Sequence, residues 1–158
     1  MAELQNYFRD KVSQAGYDLF AVFARFEYAM KKGGFRRVNH AEAAWVTFAD
    51  TLPAGFLAHM QAAPEAAIYF AAPPDHLVMD PAGGVRWAEA PITPTTTAGL
   101  FASINTARNN LFHGDKQHDR QRDTDLMVAA VFILNAAYDA AEGDARFDRF
   151  IAEMAYGL

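Results

Sequence analysis

The sequence predicts an all-α protein, an antiparallel four-helix bundle with extra short helices and a small β-hairpin. Three observations support this class. Several segments repeat apolar residues at spacings of three and four, which is the helical period. Glycines or N-capping residues mark many of their ends, and six of the seven prolines fall between them. At 158 residues the chain suffices for one hydrophobic core, so we expect a single domain over 1–158.

Two helices are predicted at the start of the chain. Residues 3–14 form a short one, with apolar side chains on one face. Residues 17–32 form a stronger one that ends at Gly33 and Gly34, because glycine commonly terminates helices. Its apolar stripe follows the helical period and consists of Leu19, Phe23, Phe26 and Met30.

Two shorter helices are predicted next. Asn39 with Glu42 three positions later has the pattern of an N-cap and its partner, so a helix should run from there to about Leu52. Pro53 then opens another helical segment that reaches about Ala63, since proline is favoured in the first turn of a helix.

Residues 64–94 differ in composition, because they hold the six clustered prolines. Residues 80–84 have the sequence of a tight turn, Asp-Pro-Ala-Gly-Gly, and short apolar runs at 76–79 and 85–87 flank it. These features predict a small β-hairpin. We interpret 64–94 as a loop or hairpin insertion between helices, with the position of a lid.

Three helices are predicted after the insertion. One runs over 95–112 and is capped by a threonine. The longest covers 123–142 and is apolar on most sides, which is typical of a helix at the centre of a bundle. Gly143 ends it, and Asp144 caps a last helix. The apolar stripe of the first of these helices consists of Leu100, Ile104, Ala107 and Leu111.

Composition narrows the classes of function. The net charge of −5 argues against a general nucleic-acid binder, although local basic patches remain. The chain has no cysteine, which excludes disulfides and thiolate chemistry and favours a reducing compartment. We recognise no signal peptide and no apolar run of membrane-spanning length, so we expect a cytoplasmic protein without membrane contact.

The candidate site lies at the end of the helix predicted over 95–112. Arg108, Asn109 and His113 follow one another closely there, and Gly114 is placed to stop the helix. Arginine can donate two hydrogen bonds to a phosphate, and histidine can transfer protons near neutral pH. Asn109 and His113 are four positions apart, so the amide can orient the imidazole. These groups suit RNA cleavage by attack of the 2′-hydroxyl on the adjacent phosphate, a reaction that needs no metal or cofactor. DNA is excluded as a substrate because it lacks the 2′-hydroxyl.

The same helix has a second face that mixes aromatic and polar side chains. Phe101 and Phe112 lie on it, together with the polar residues Asn105, Arg108, Asn109 and His113. Such a mixture is typical of an interface that encloses a polar site. We therefore expect a homodimer in which Phe101 and Phe112 are buried and the two helices face each other across a two-fold axis.

At this point the chain resembles the HEPN superfamily, whose members carry R-x-x-x-x-H near the end of a bundle helix, often with asparagine after the arginine. Arg108 to His113 reads Arg-Asn-Asn-Leu-Phe-His, and residues 23–32 resemble the early helix of one HEPN group. The resemblance implies a dimeric helical bundle with metal-independent endoribonuclease activity, often a toxin or defence effector. It assigns catalysis to Arg108 and His113 and a supporting role to Asn109. Glu27 matches only the early-helix string, and two interpretations of it stay open: it pairs with Arg108 and holds it, or it forms an ordinary ion pair on the helix surface.

The resemblance has one departure, and two alternatives stay open. HEPN toxins regulated by a nucleotidyltransferase often carry a tyrosine two residues after the histidine, and here that residue is Asp115. An antitoxin or nucleotidyltransferase partner is still compatible with the chain.

The first alternative is a non-catalytic HEPN module that binds a nucleotide or a protein partner. The second is a metal cluster of acidic and histidine side chains at residues 113–119, which lack the fixed spacing of a ligand set.

Overall fold

The computed structural model describes Glu3, residues 12–111 and residues 120–155. Within these residues the chain is mostly helical, with one two-stranded antiparallel sheet. The helical class and the small hairpin are therefore confirmed. The α-helices are α1 Gln14–Lys32, α2 Trp45–Thr51, α3 Phe56–Ala62, α4 Ile68–Ala71, α5 Thr97–Asn110, α6 Arg120–Ala141 and α7 Asp148–Ala155, and the strands are β1 Leu77–Met79 and β2 Val85–Trp87.

Helix α1 is the element against which much of the fold packs. It starts three residues before the predicted position, because the Ser13 side chain accepts a hydrogen bond from the Gly16 amide at 3.2 Å. Most of the predicted helix over 3–14 lies outside the described residues. At its other end, a Cβ at Gly33 would lie 2.5 Å from the Cα of Phe150. Glycine is thus required where α1 meets α7.

The start of α2 corrects the prediction that Asn39 caps a helix. Asn39 has a φ of 61° and lies in a turn, a conformation that asparagine tolerates better than most residues. The turn is closed by an antiparallel bridge between Arg36 and Ala43. The helix begins only at Trp45. The side chain of Asn39 thus stabilises no helix, because the chain must first reverse direction.

Residues 64–71 are helical. A 3₁₀ turn at Pro64–Ala66 leads into α4, and Tyr69 is completely buried. Its hydroxyl donates a hydrogen bond to the Leu126 carbonyl at 3.1 Å, and burial raises the pKa of Tyr69 above its ordinary value. The first part of the segment over 64–94 therefore packs against α6 as part of the core.

The hairpin follows α4. Strands β1 and β2 pair in an antiparallel register, with Leu77 opposite Trp87 and Met79 opposite Val85. Gly83 and Gly84 both have positive φ angles, of 103° and 87°, which explains the glycine pair in the turn. The hairpin is mostly exposed or half-buried.

Helices α5, α6 and α7 form as predicted, with ends shifted by a few residues. The Thr96 hydroxyl accepts a hydrogen bond from the Gly99 amide at 2.9 Å and so caps α5. Gly143 has a φ of 79° after the end of α6, and the Asp144 side chain caps the 3₁₀ turn Ala145–Phe147 that leads into α7. The predicted stripe of α6 is buried, and it consists of Leu126, Ala130, Ile133 and Ala137.

Helix α6 also bears on the expected absence of a membrane span. Its segment Gln121–Ala141 is long and apolar enough to cross a membrane by length and composition, a stretch that the sequence analysis overlooked. The central helix of a folded core has the same composition. Here α6 packs against α1 and against the segment 64–71, so its apolar character has an explanation in the fold.

The aromatic core is a cluster of five phenylalanines contributed by α1, α2, α7 and the turns that precede α2 and α7. Phe48 occupies its centre, and the centroids of the other rings lie 5.0–6.0 Å from its own. All five side chains are at most 7% exposed. Edge-to-face geometry dominates, as expected for aromatic rings with opposed edge and face charge. The members are Phe26, Phe35, Phe48, Phe147 and Phe150.

Candidate functional site

The structure brings some of the predicted site residues together and leaves others undescribed. Asn105, Arg108 and Asn109 lie in the last two turns of α5 and are half-buried. The predicted proton-transfer residue His113 and the predicted interface residue Phe112 lie outside the described residues. The geometry that follows therefore concerns the arginine half of the proposed site.

Arg108 is held on three sides. Its Nη1 donates a hydrogen bond to Oδ1 of Asn109 at 2.8 Å, and its Nη2 lies 3.8 Å from Oε2 of Glu27. The guanidinium carbon lies 4.7 Å from the centroid of the Phe23 ring, within the range of a cation–π contact. Of the two interpretations of Glu27, the geometry agrees with an ion pair to Arg108, and the supporting role of Glu27 in a site stays a prediction.

Glu27 is itself positioned by a second residue. The Trp45 indole nitrogen donates to Oε1 of Glu27 at 3.4 Å, so each carboxylate oxygen has a separate neighbour. Phe23 and Glu27 are four residues apart on α1 and lie on one face of it. We call Phe23, Glu27, Trp45, Arg108 and Asn109 the arginine network. It joins α1, the first residue of α2 and the end of α5.

The network leaves part of the guanidinium available. Arg108 has five N–H donors, and among the described residues it makes one hydrogen bond. The 3.8 Å separation from Glu27 is an ion pair rather than a hydrogen bond. The side chain is 27% exposed. A fixed, partly exposed guanidinium with unused donors can bind a carboxylate or phosphate in two-point fashion.

The structure also describes the two asparagines, Asn105 and Asn109, that were assigned to the site. Asn109 was assigned to orient His113, but its side-chain oxygen accepts from Arg108. Asn105 lies one helical turn before Arg108 and Asn109 and is half-buried. Its supporting role stays a prediction.

Phe101 corrects the expectation that it faces a dimer partner. The side chain is 1% exposed, and its ring centroid lies 5.3 Å from Trp45, 5.9 Å from Phe48 and 6.2 Å from Phe56. Helices α2 and α3 cover this side of α5 within the same chain. Helical angles along α5 show which residues share a face, but they do not show which element covers that face.

A second polar cluster, which sequence reasoning missed, lies beside the end of α5. Nδ2 of Asn110 donates to the backbone carbonyl of Asp75 at 2.7 Å. Nη1 of Arg122 lies 3.0 Å from Oδ2 of Asp75, and Nη2 donates to the Pro73 carbonyl at 2.7 Å. We call Asp75, Asn110 and Arg122 the Asp75 clamp. One signal was present in the sequence, because Arg122 directly precedes the helix predicted over 123–142, and a cation at a helix N-terminus is unfavourable unless an anion lies near it.

The clamp ties together the two chain ends that border residues 112–119. Asn110 is the last residue of α5, and Arg122 lies in the first turn of α6. Both bind residue 75, in the segment before the hairpin. The two anchors of the predicted histidine segment are thus connected to one point on the protein.

Metal chemistry was a weaker alternative at this end of α5. The residues that suggested it, His113, Asp115, His118 and Asp119, lie outside the described residues. In the parts of the chain that the structure describes, no group of three or more histidine, aspartate or glutamate side chains is arranged to hold a metal ion.

Comparisons with known proteins identify no relative of this chain. The chain matches no protein-family model, no curated protein and no solved structure.

Proposed function

We propose that this protein is a metal-independent endoribonuclease of the HEPN type, which cleaves single-stranded RNA in the cytoplasm as a toxin or defence effector. The observation that carries the proposal is the arginine network. It holds the guanidinium of Arg108 in place and leaves it 27% exposed, and within the part of the chain that the structure describes most of its donors are unused.

The proposed reaction uses general acid–base and electrostatic catalysis. His113 removes the proton from the RNA 2′-hydroxyl, whose oxygen forms a bond to the adjacent phosphorus as the bond from phosphorus to the 5′-oxygen of the next nucleotide breaks. The proton is returned from the imidazolium to that 5′-oxygen, and the products are a 2′,3′-cyclic phosphate and a 5′-hydroxyl. Arg108 donates to the non-bridging oxygens as negative charge builds on them. Asn109 holds Arg108 in position through the 2.8 Å hydrogen bond. No cofactor takes part.

The proposal includes assembly. We expect a homodimer in which the C-terminal ends of two α5 helices lie together, with an antiparallel four-helix bundle as the finer architecture of each chain. Phe112 remains the predicted aromatic contact, since Phe101 is used inside the core. An antitoxin or nucleotidyltransferase would act on this same surface. Sedimentation that gives a monomer at tens of micromolar would contradict the dimer.

One observation favours the non-catalytic alternative, a HEPN module that binds a nucleotide or a protein partner. Glu27 places negative charge 3.8 Å from Nη2 of Arg108, so part of the charge available to a phosphate is neutralised. The end of α5 also carries negative helix-dipole charge, which by itself stabilises an arginine there. Under this alternative the arginine network stabilises the fold and its exposed edge contacts a partner.

The experiment that separates the two is single-turnover cleavage of a short single-stranded RNA in EDTA. Lysine keeps the charge of Arg108 but loses the planar two-donor fork. We therefore expect R108K to cleave well below the wild-type rate while it still binds RNA, and R108A to lose both. R37K and R37A are matched controls, because Arg37 is exposed and pairs with Glu42 at the surface. Equal rates for wild type, R108K and R108A would reject a role for Arg108 in the transition state.

His113→Ala tests the other half of the proposed site. General acid–base groups typically contribute about 10²–10⁴-fold, so we expect cleavage to fall by that range with no change in the unfolding midpoint. His59→Ala is the control, since His59 is an exposed histidine on α3. Undiminished cleavage by folded H113A would overturn the assignment, and activity that requires a divalent metal would overturn the metal-free reaction.

A further inference from the structure

Lysines and arginines are concentrated where α1 ends. Residues 31–37 read Lys-Lys-Gly-Gly-Phe-Arg-Arg, so this stretch holds four cations and no acid in a chain whose net charge is −5. Lys31 and Lys32 belong to the last turn of α1, and Arg36 follows in the bridge to Ala43. These three basic residues are exposed. The charge of this surface is therefore opposite to that of the whole protein.

The fold brings a further cation to the same helix end. Nη2 of Arg149, which belongs to α7, donates to the Lys32 carbonyl at 3.3 Å. The ring of Phe35, the neighbour of Arg36, stacks on that of Phe147 with the centroids 5.2 Å apart, so the turn after α1 lies against the start of α7. Two distant segments thus contribute to one positive surface. We call its four residues the basic corner, and they are Lys31, Lys32, Arg36 and Arg149.

The cations of the basic corner have few partners. In the parts of the chain that the structure describes, neither lysine ammonium takes part in a hydrogen bond or an ion pair. The guanidinium of Arg36 lies 3.5 Å from the His40 carbonyl, and that of Arg149 contacts the Lys32 carbonyl. Both of these acceptors are neutral, so they leave the positive charge of the corner in place.

The acids closest in sequence to the corner neutralise little of its charge. Glu42 is paired with Arg37, and Asp144 is paired with Arg146, so both serve arginines outside the corner. Asp148 lies in the first turn of α7, where the positive end of the helix dipole already favours an acid. The corner therefore keeps an excess of positive charge.

The dipole of α1 explains only part of this arrangement. The C-terminal end of a helix carries roughly −0.5 of an elementary charge, and cations in the last turn are favourable for that reason. Four cations exceed this charge several-fold, and like charges held close together repel one another. An anion at the corner relieves the repulsion, which favours a ligand that carries several negative charges.

Lys31 connects the basic corner with the arginine network. Phe23, Glu27 and Lys31 are spaced by four residues and share one face of α1. A glutamate four residues before a lysine often pairs with it, but here Oε2 of Glu27 lies beside Arg108 and Oε1 accepts from Trp45. Lys31 lies one turn further on, about 6 Å along the helix axis. The basic corner therefore begins next to the carboxylate that holds Arg108.

We propose that the basic corner binds the phosphate backbone of the RNA strand outside the cleaved bond. The inference rests on the proposed function, in which Arg108 binds the phosphate that reacts. A strand bound there continues along α1 to Lys31 and then to the other cations, which complement its repeated negative charge. Strand length thus becomes part of recognition, because a dinucleotide has one phosphodiester and occupies only the Arg108 site. Contacts to phosphate carry no sequence information, so the corner adds affinity for any single strand.

The first test is the salt dependence of binding. The probe is a single-stranded 2′-O-methyl RNA, which cannot be cleaved by 2′-hydroxyl attack, and fluorescence anisotropy gives its affinity over a range of salt concentrations. For single strands the slope of log K against log salt changes by about 0.7 for each phosphate contact. We therefore expect K31Q/K32Q/R36Q to reduce the slope by about 2 and to weaken binding at low salt.

A control variant with the same net charge separates the corner from the charge of the whole protein. Q61E/N135D/R86Q lowers the net charge by the same amount, at exposed residues of α3, α6 and the hairpin, and we expect it to keep the wild-type slope. An unchanged slope in K31Q/K32Q/R36Q, or an equal loss in the control, would overturn the proposal. Thermal unfolding verifies that each variant is folded. K31Q alone, with an expected loss of about 0.7, keeps the test valid if the triple variant is not.

Cleavage of two substrates connects the corner to catalysis. The ratio of kcat/KM for a long RNA to kcat/KM for a dinucleotide measures the advantage of length. We expect this ratio to fall in K31Q/K32Q/R36Q and to be retained in R108K, which slows both substrates. A wild-type ratio near one, or an unchanged ratio in the triple variant, would reject the basic corner alone. Absence of cleavage by wild type would reject the proposed function, and the binding test would still decide on the corner.

An acidic protein segment is the competing polyanion for this surface. Poly-glutamate and unlabelled RNA are therefore compared as competitors of the bound probe at equal concentrations of negative charge. Stronger displacement by RNA supports the proposal, since the strand also contacts Arg108. Equal or stronger displacement by poly-glutamate would overturn RNA as the occupant and indicate a protein partner instead.

Discussion

Trp45 contacts two regions of the molecule that are stabilised in different ways. On one side the centroid of its ring lies 6.2 Å from that of Phe26 and 6.4 Å from that of Phe48, at the edge of the aromatic core. On the other side its indole nitrogen donates to Glu27 in the arginine network. The aromatic core depends on many non-directional contacts among buried rings, whereas the network depends on a few directed contacts that the half-buried Arg108 makes with its neighbours.

This difference between the aromatic core and the arginine network indicates where a residue can be substituted without loss of the fold. Burial of apolar area scales with the surface removed from water, so a large ring in the core carries a large part of the stability. Half-buried polar pairs contribute little net stability, because they exchange contacts with water for contacts with protein. Residues such as Arg108 are thus free to serve a site, and their substitution should affect activity more than folding.

The largest effect on stability is expected from Phe48→Ala. Phe48 is completely buried, and six aromatic ring centroids lie within 6.4 Å of its own. Removal of such a ring lowers the free energy of unfolding by about 3–5 kcal/mol. Chemical denaturation measures it, with Val46→Ala as control, since Val46 is 63% exposed on the same helix. A loss below about 1 kcal/mol would show that this region is not the main source of stability.

An intermediate effect is expected from the Asp75 clamp. Arg122→Met removes a charge partner of Asp75 and the donor to the carbonyl of buried Pro73. Because a buried carbonyl then loses its donor, the loss should exceed that of a half-buried ion pair alone and reach about 1–3 kcal/mol. Arg86→Met is the control, because Arg86 is exposed on the hairpin. A double-mutant cycle with Asp75→Asn isolates the pair itself. Strictly additive losses would mean that the two side chains are not energetically coupled.

The clamp prediction also bears on activity. If the clamp positions the segment that carries His113, Arg122→Met should slow RNA cleavage under conditions where the variant is fully folded, and Arg122→Lys should restore part of the rate. A rate equal to that of wild type would limit the clamp to a structural role.

The smallest effect on stability is expected from Glu27→Gln. The substitution keeps the shape and the oxygen that accepts from Trp45 but removes the charge beside Arg108. The pair is about one-third exposed, so we expect a change under about 1 kcal/mol. RNA binding should tighten, because Arg108 is no longer partly neutralised. Glu42→Gln controls for net charge, and weaker RNA binding by E27Q alone would show that Glu27 is needed to hold Arg108.

The local sequence predicted most helices because capping and periodicity act within a few residues. The stripe of α1 is buried as expected, and Thr96, Gly143 and Asp144 mark helix ends where the pattern indicated. The prediction that Asn39 caps a helix was wrong, because the chain reverses direction at this point and the bridge between Arg36 and Ala43 closes the turn. A four-residue cap pattern does not show whether residues outside it close a turn instead.

The candidate site was predictable only in part. The pairing of Glu27 with Arg108 was one of two interpretations that the resemblance left open, and the geometry agrees with it. Phe101 was assigned to an interface because its face of α5 mixes ring and polar groups, but α2 and α3 cover that face. The bond from Asn110 to residue 75 joins positions 35 apart in the chain, and no spacing rule reaches that far.

The sequence by itself determined the helical class, the hairpin turn and the position of an arginine at the end of α5. Those features follow from side-chain period, backbone freedom and helix-end chemistry, all of which are local. Only the tertiary structure decided that Arg108 lies between Phe23 and Glu27 and that Arg122 meets Asp75. Such contacts form between distant segments, and their energies depend on how the whole core packs.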